Sequence, residues 1–144
     1  LPFVLALALW PFYRILFDAT GSLGGGLFLV VVGDTELQRN DLAVFHPPAN
    51  RFFAEQEEFI KQVGGVPGDL IRREARSFFN GATGLGTAKT VSRHGDVLQA
   101  FAGGLVPAGH FYFYSAHPDA FDSRYQDIGF VARERVIGQA YRIF

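Results

Sequence analysis

The sequence predicts an all-β fold made of antiparallel sheets. Short runs of β-branched and aromatic residues recur along the chain, Gly and Pro residues separate them, and no long segment has helical periodicity. With 144 residues the chain has the length of about one domain, and no linker or internal repeat divides it. We therefore expect one β domain, long enough to bury a substantial core.

Eight apolar runs bounded by turn residues are predicted to be strands. They cover residues 27–32, 42–45, 59–63, 70–73, 76–79, 97–101, 111–114 and 136–143. Asn40-Asp41 is a turn signal, and Asn80-Gly81 is typical of a hairpin because it favours positive φ angles. Residues 52–58 are predicted to form one or two helical turns, and the glycine-rich residues 81–86 a loop.

The N-terminal residues 1–17 are apolar apart from Arg14. This segment is slightly shorter than the ~20 residues that cross a bilayer, and the chain does not begin with Met, so we expect a truncated membrane anchor. Arg14 would extend towards the membrane interface, where Trp10 and Tyr13 are also favourable. A buried or interfacial segment is the alternative. Residues 18–144 then form the globular domain.

The composition excludes several classes of function. The net charge is −1 and there is no basic run, whereas a nucleic-acid partner requires clustered Lys and Arg. The absence of Cys excludes disulfides, thiolate metal sites and cysteine nucleophiles. The four His are not spaced as metal ligands, and neither glycine cluster has the pattern of a nucleotide-binding loop. His117, Asp119 and Ser123 lie too close in sequence to converge easily as a catalytic triad.

Lys61 has an unusual place for a charged residue, because it lies among apolar neighbours on a predicted strand. Strand alternation puts its side chain on the same face as Phe59 and Val63, so its amine would be held against an apolar surface. Burial of this kind lowers the pKa of a lysine, and a lysine that is neutral near pH ~7 can act as general base for a serine. The alternative is an edge-strand lysine whose amine extends into solvent.

Several segments, taken in order, resemble the motifs of type I signal peptidases, and in particular the TraF-like branch of conjugative-transfer peptidases. The segments are TGSL at 20–23, NDLAVF at 40–45, KQVGGVPGD at 61–69, FNG at 79–81, VPAGHF at 106–111, FDSRY at 121–125 and VIGQA at 136–140. Each motif is weak alone, but seven in the family's order are specific.

The resemblance implies a fold of bent antiparallel sheets and a role for each matched residue. Ser22 would be the nucleophile and Lys61 its general base. The backbone N–H of Ser22 and the hydroxyl of Thr20 would form the oxyanion hole. No metal and no cofactor is implied. The residues that would support the active-site loop are the ion pair of Asp122 with Arg124, and Ser123.

The sequence departs from the family's pattern at Ala120, where a serine generally hydrogen-bonds the lysine. Leu23 and Gly24 replace a Met and a Pro. The alternative function is therefore a catalytically weak or inactive scaffold or binding module that retains the fold. A self-cleaving regulator of the repressor type is a further alternative, although no DNA-binding domain precedes the apolar segment.

The function that the resemblance implies is a membrane-anchored serine endopeptidase. It would cleave signal peptides or pilin precursors after small residues, in general secretion or in conjugative transfer. Its partners would be the precursor polypeptide, bound as an added strand, and membrane lipid, but not nucleic acid. The expected location is the cell inner membrane, with a single span and the catalytic domain on the periplasmic face.

Overall fold

The computed structural model describes residues 10–18 and 21–144. In this part of the chain eleven strands are joined by turns and loops, with two short 3-10 segments at Trp10–Phe12 and Arg133–Arg135. The strands are β1 (Tyr13–Phe17), β2 (Leu27–Val32), β3 (Leu42–Phe45), β4 (Phe59–Gly65), β5 (Leu70–Glu74), β6 (Ser77–Asn80), β7 (Thr83–Thr87), β8 (Gly104–Leu105), β9 (His110–Tyr114), β10 (Val131–Ala132) and β11 (Val136–Arg142).

The strands form two antiparallel sheets. The larger has seven strands in the order β1-β2-β11-β3-β4-β9-β10, and the smaller has four in the order β7-β6-β5-β8. β4 ends at the buried Gly64 and Gly65, where the chain turns from the large sheet into the small one. A Cβ at Gly65 would lie 2.7 Å from Cδ1 of Ile71 and 3.3 Å from Cβ of Tyr112, so a larger residue would require neighbouring side chains to shift. The predicted all-β fold with antiparallel sheets is confirmed.

The apolar core consists of three clusters of buried side chains. In one of them the rings of Phe45 and Phe113 stack with their centroids 4.3 Å apart. Strand β4 contributes to two clusters, because Val63 packs in the first and Ile60 in the third. Alternate side chains of β4 are therefore buried on opposite faces, and this central strand is held rigidly in place.

Seven of the eight predicted strands are confirmed, with ends shifted by at most a few residues. The prediction for residues 97–101 is wrong, since they make isolated bridges, Val97 with Val91 and Ala100 with Tyr125. The loop predicted at 81–86 is also wrong. Thr83–Thr87 is strand β7, which pairs with β6 across the Asn80-Gly81 turn. This pairing, together with the burial of Leu85, overrides the low strand propensity of the glycines.

The predicted helical turns at residues 52–58 are absent, and bends and turns take their place. Oδ1 of Asn50 accepts hydrogen bonds of 2.9 Å from the backbone N–H groups of both Phe52 and Phe53. These contacts hold the start of the segment in a turn, and no helix continues from it.

The predicted membrane anchor falls largely on residues 1–9, which lie outside the described residues. Where the structure describes the segment, Trp10–Phe12 form a 3-10 turn and Tyr13–Phe17 form edge strand β1, paired with β2. Over residues 10–18 and 21–144 no helix is long and apolar enough to cross a membrane. Arg14 forms an ion pair of 2.8 Å with Glu58.

Candidate active site

Ser22 lies in a tight turn between β1 and β2. The backbone N–H of Asp18 donates to the carbonyl oxygen of Gly26 at 3.0 Å, which closes the turn at its base. Within it, Gly21, Gly24, Gly25 and Gly26 all have positive φ angles, which other residues rarely adopt. The glycine run of the sequence therefore serves to fold the chain sharply around the serine.

The carboxylate of Asp18 occupies the centre of this turn. It is 4 % exposed, and it accepts hydrogen bonds from the backbone N–H groups of Gly21, Leu23 and Gly25 at 3.1, 2.9 and 3.2 Å. A buried carboxylate requires such donors to offset its loss of hydration. Asp18 thus connects the residues on both sides of Ser22.

Ser115 holds Ser22 from the opposite side. Its hydroxyl donates a hydrogen bond of 2.8 Å to the backbone carbonyl oxygen of Ser22. The backbone N–H of Ser115 donates in turn to Oδ2 of Asp122 at 3.0 Å, and Ser115 is fully buried. A continuous set of hydrogen bonds therefore runs from Asp122 to the backbone of Ser22.

Lys61 lies on β4 with only 6 % of its surface exposed, and its Nζ is 5.7 Å from the centre of the Phe59 ring. Burial lowers the pKa of Lys61 from its ordinary value of 10.5, while Asp122 raises it, Arg124 lowers it and Asp18 raises it. The predicted placement against an apolar surface is confirmed. The alternative of a lysine whose amine extends into solvent is wrong, because the side chain is buried.

Ser22 and Lys61 line one cavity of about 410 Å³. The end of β1, the start of β4 and the loop at residues 117–121 surround it, and its walls are mainly apolar. The structure thus brings together the two residues that the sequence predicts as nucleophile and base, although they are far apart in the chain. The aliphatic and aromatic residues that line the cavity are Leu16, Phe17, Phe53, Phe59, Ile60, Ala120 and Phe121.

Asp122 and Arg124 form the predicted ion pair, and both are buried. Nε and Nη2 of Arg124 each donate to a carboxylate oxygen of Asp122 at 2.8 Å. Nη2 also donates to the carbonyl oxygens of His117 and Ala120, both at 3.1 Å. Arg124 therefore ties together the loop that lines the cavity. Ser123 is next to this pair, where its hydroxyl accepts a hydrogen bond of 2.9 Å from the N–H of Phe113.

A comparison with protein-family models matches residues 3–144 to the family described as signal peptidase, peptidase S26. The chain belongs to this signal peptidase family. It is also 28 % identical, over 148 aligned residues, to the conjugal transfer protein TraF of Agrobacterium fabrum (strain C58 / ATCC 33970). That alignment covers 92 % of this chain and 82 % of the relative. The resemblance that the motifs indicate is confirmed.

The two remaining positions that the sequence analysis named are Thr20 and Ala120. Thr20, the predicted second oxyanion donor, lies outside the described residues and stays a prediction. Ala120 lines the cavity beside Lys61 and has no hydroxyl to orient the amine. The carboxylates that act on the amine electrostatically are those of Asp122 and Asp18.

The sequence analysis missed Asp18 and Ser115 as members of this signal peptidase site. An Asp just before a glycine run is a typical turn pattern, so a local signal for Asp18 was present. Ser115 has no such signal, because its contact with Ser22 joins residues 93 positions apart.

Proposed function

We propose that this chain is a membrane-associated serine endopeptidase that uses Ser22 as nucleophile and Lys61 as general base. The observation that carries the proposal is a buried lysine of lowered pKa on the same cavity as a serine, in a member of the signal peptidase family. A lysine kept neutral by burial can remove the serine proton without a histidine.

In the proposed mechanism, Oγ of Ser22 attacks the scissile carbonyl carbon while its proton moves to Nζ of Lys61. The backbone N–H of Ser22 and the hydroxyl of Thr20 stabilise the resulting oxyanion, at roughly 3–4 kcal/mol for each donor. The C–N bond then breaks as Lys61 delivers the proton to the leaving amine, which leaves an ester on Ser22. Lys61 next removes a proton from water, whose oxygen attacks the ester carbonyl carbon. The bond to Oγ of Ser22 breaks, the acid is released, and Lys61 returns the proton to Oγ.

The substrate is proposed to be a signal peptide or a pilin precursor, bound in an extended conformation. At its start β4 pairs with β3 on one side, whereas its pairing with β9 begins only at Gln62. Among the described strands, none pairs with the other side of Phe59–Lys61. These three residues line the cavity, where an extended peptide can add as a strand. Cleavage after small residues is inferred from the family, and a role in conjugative transfer from the relative's name.

An exposed apolar face next to the cavity supports association with the membrane. Ile15, Leu29 and Tyr141 lie side by side on β1, β2 and β11, and Phe17 with Leu27 continues this face. Ile15 is 59 % and Phe17 64 % exposed, and Phe17 also lines the cavity. Contiguous apolar surface of this kind marks an interaction site. We propose that it contacts lipid at the periplasmic face of the inner membrane, and that the single-span anchor is confined to residues before β1, since Tyr13–Phe17 belong to the sheet.

Replacing Ile15 and Phe17 together with Asp is expected to weaken binding to phospholipid vesicles at least tenfold, because each loses roughly 2 kcal/mol of apolar burial. Co-sedimentation of the chain with vesicles of a zwitterionic phospholipid measures the partition coefficient. The matched control replaces Val91 and Val97, two exposed apolar residues outside the face formed by β1, β2 and β11, and should leave binding unchanged. Equal partitioning of both variants would contradict the proposed lipid contact.

Replacing Ser22 with Ala is expected to lower kcat/KM for a precursor with a small-x-small cleavage site by roughly 10³-fold or more, since no nucleophile remains. Cleavage is followed by electrophoresis of purified precursor and protein in detergent. Ser77→Ala is the matched control, because this hydroxyl contacts only Thr87 in the small sheet among the described residues. Equal activity of the wild type and Ser22→Ala would overturn the assignment.

Ala120 favours a second candidate function, a binding module that retains the fold without efficient catalysis. The observation behind it is that residue 120, on the wall of the cavity that Lys61 lines, has no hydroxyl. A serine-reactive phosphonate probe distinguishes the two candidates. The peptidase should be labelled at Ser22 at a rate that depends on Lys61, whereas a binding module should remain unlabelled in every detergent.

A further inference from the structure

Asp18 is a buried acid beside the reacting groups for which the proposed mechanism has no step. It lines the same cavity as Ser22 and Lys61, and three backbone N–H groups of the serine turn point at its carboxylate. The three donors come from residues before and after Ser22, so the carboxylate fixes the path of the chain on both sides of the serine.

The turn needs this constraint because of its glycines. Four glycines with positive φ give the chain the required bend, but glycine has great conformational freedom and no side chain with which to hold one shape. Apart from Gly26, none of these four has a neighbour close to the place where a Cβ would be. Packing at the glycines therefore does not fix the turn. It is held by Leu23, which packs against the third core cluster, and by the hydrogen bonds of its backbone with Asp18, Ser115 and Arg142.

Asp18, Ser115 and Arg142 bind different polar groups of the turn, and Arg142 donates to the carbonyl oxygens of Leu23 and Gly25 at 2.6 and 2.8 Å. Asp18 accepts from the N–H groups of the neighbouring residues, and Ser115 donates to the carbonyl oxygen of Ser22 itself. Ser115 is in turn fixed by Asp122. The turn is thus attached to β1 on one side and to the buried ion pair of the cavity loop on the other.

We propose that Asp18 is a positioning residue of the Ser22–Lys61 pair: its carboxylate holds the turn that carries the serine and places a negative charge beside the lysine. This inference rests on the proposed peptidase function for its catalytic consequence. Its structural content, the constraint on the turn and the charge near the amine, does not depend on turnover.

Asp18 is one of several charged residues that surround Lys61. Asp18 and Asp122 raise the pKa of Lys61, against the effects of burial and of Arg124. The charged and titratable groups that surround Lys61, from the cavity walls and from the buried pair, are Asp18, Glu58, Arg93, His117, Asp119, Asp122 and Arg124. Asp18 is distinguished from the others by its direct hydrogen bonds to the serine turn.

Replacing Asp18 with Asn is expected to lower kcat about 100-fold with little change in KM, because one amide oxygen cannot accept all three donors and the serine is misplaced. The acid limb of the pH profile of kcat/KM should move to lower pH, since the lost negative charge no longer raises the pKa of Lys61. A role confined to folding would lower activity without moving this limb.

Three further variants separate the effect of the Asp18 charge from the effect of the hydrogen bonds that hold the turn. Asp18→Glu keeps the charge, so its acid limb should return towards that of the wild type. Ser115→Ala removes the contact with the Ser22 carbonyl and is expected to lower kcat about tenfold without moving the limb. Asp96→Asn, which changes an acid whose described contacts are with Ser92, should match the wild type. Wild-type kcat and an unmoved limb in Asp18→Asn would overturn the proposal.

NMR of the Ser22→Ala protein keeps this inference distinct from the proposed function. There Asp18→Asn should lower the measured pKa of the Lys61 amine and speed hydrogen exchange at the amides of Gly21, Leu23 and Gly25. If both changes occur in a chain without peptidase activity, the proposed function fails and the role of Asp18 in the turn stands. If neither occurs, the proposal for Asp18 is wrong even where Ser22-dependent cleavage is observed.

Discussion

Replacing Lys61 with Met is expected to abolish peptidase activity and at the same time to stabilise the folded chain. The loss of activity follows from the proposed role of the amine, since without a base the serine keeps its proton. A reduction in kcat/KM of roughly 10³-fold or more is expected. Methionine has nearly the length of the lysine side chain and fills the same apolar space, so the variant should fold normally.

The gain in stability follows from the lowered pKa of Lys61. The unfolded chain keeps the ordinary lysine value of 10.5, whereas burial lowers the pKa in the folded state. The folded state therefore binds fewer protons, and the penalty is fully present below the folded pKa and disappears as pH rises above the unfolded value. Lys61→Met removes the penalty and should raise the free energy of unfolding by about 1 kcal/mol at neutral pH.

Urea denaturation at neutral pH and at about pH 10 measures this difference. The gain of Lys61→Met over the wild type should begin to shrink as pH rises, because the folded wild-type lysine loses its proton before the unfolded one does, and it should vanish only above the unfolded value of 10.5. The matched control is Lys89→Met at the other lysine of the chain. Lys89 is half exposed and paired with Asp119, so its loss should change stability by less than about 1 kcal/mol. An active Lys61→Met, or one destabilised at neutral pH, would contradict the assignment of Lys61 as a buried base.

The strands were predictable wherever their signal is local. β2, β3 and β4 are apolar runs between turn residues, and the structure has them within two residues of the predicted ends. β7 was missed because its glycines have low strand propensity and its pairing with β6 comes from the hairpin. The requirement for glycine at position 138 could not be predicted from the sequence. It follows from the strand pairing, because a Cβ there would overlap the carbonyl oxygen of Val31 on the neighbouring strand.

The candidate site was predictable to the extent that its residues have a sequence signature. Lys61 stands out as a charge within an apolar strand, and the motif around Asp122 and Arg124 indicated the ion pair that the structure contains. Ser115 could not be predicted, since its contact with the serine turn depends on how β9 and the β1–β2 connection meet in space. The roles of Ser22, Lys61 and Thr20 in catalysis stay predictions until the variants are measured.

Replacing Arg124 with Met is expected to have the largest effect on stability, a loss of about 3–5 kcal/mol. The guanidinium is the buried partner of the Asp122 carboxylate and also satisfies the carbonyl oxygens of His117 and Ala120. Methionine provides none of these hydrogen bonds, so a carboxylate stays buried without its counter-ion. Arg124→Lys keeps the charge but not the planar set of donors and should recover only part of the loss.

The control for burial is an ion pair of the same type at the surface. Arg72 and Glu74 are paired at 3.1 Å and both are exposed, so Arg72→Met should cost less than about 1 kcal/mol. A double-mutant cycle with Asp122→Leu and Arg124→Met isolates the coupling of the buried pair, expected to be near the upper end of about 0.5–3 kcal/mol. The double variant should not regain full stability, because the backbone N–H groups of Ser115 and Arg124 that bind Asp122 lose their acceptor.

Activity measured on the folded fraction of Arg124→Met tests whether the pair also serves the site. Asp122 fixes the Ser115 backbone, and Ser115 holds the carbonyl oxygen of Ser22. If the pair only stabilises the fold, kcat per folded molecule should remain at the wild-type value. We expect it to fall about tenfold or more, because a loosened Ser115 no longer fixes the serine turn against the lysine. If Arg124→Met lowers the free energy of unfolding no more than Arg72→Met does and leaves kcat unchanged, the buried pair is needed neither for stability nor for activity.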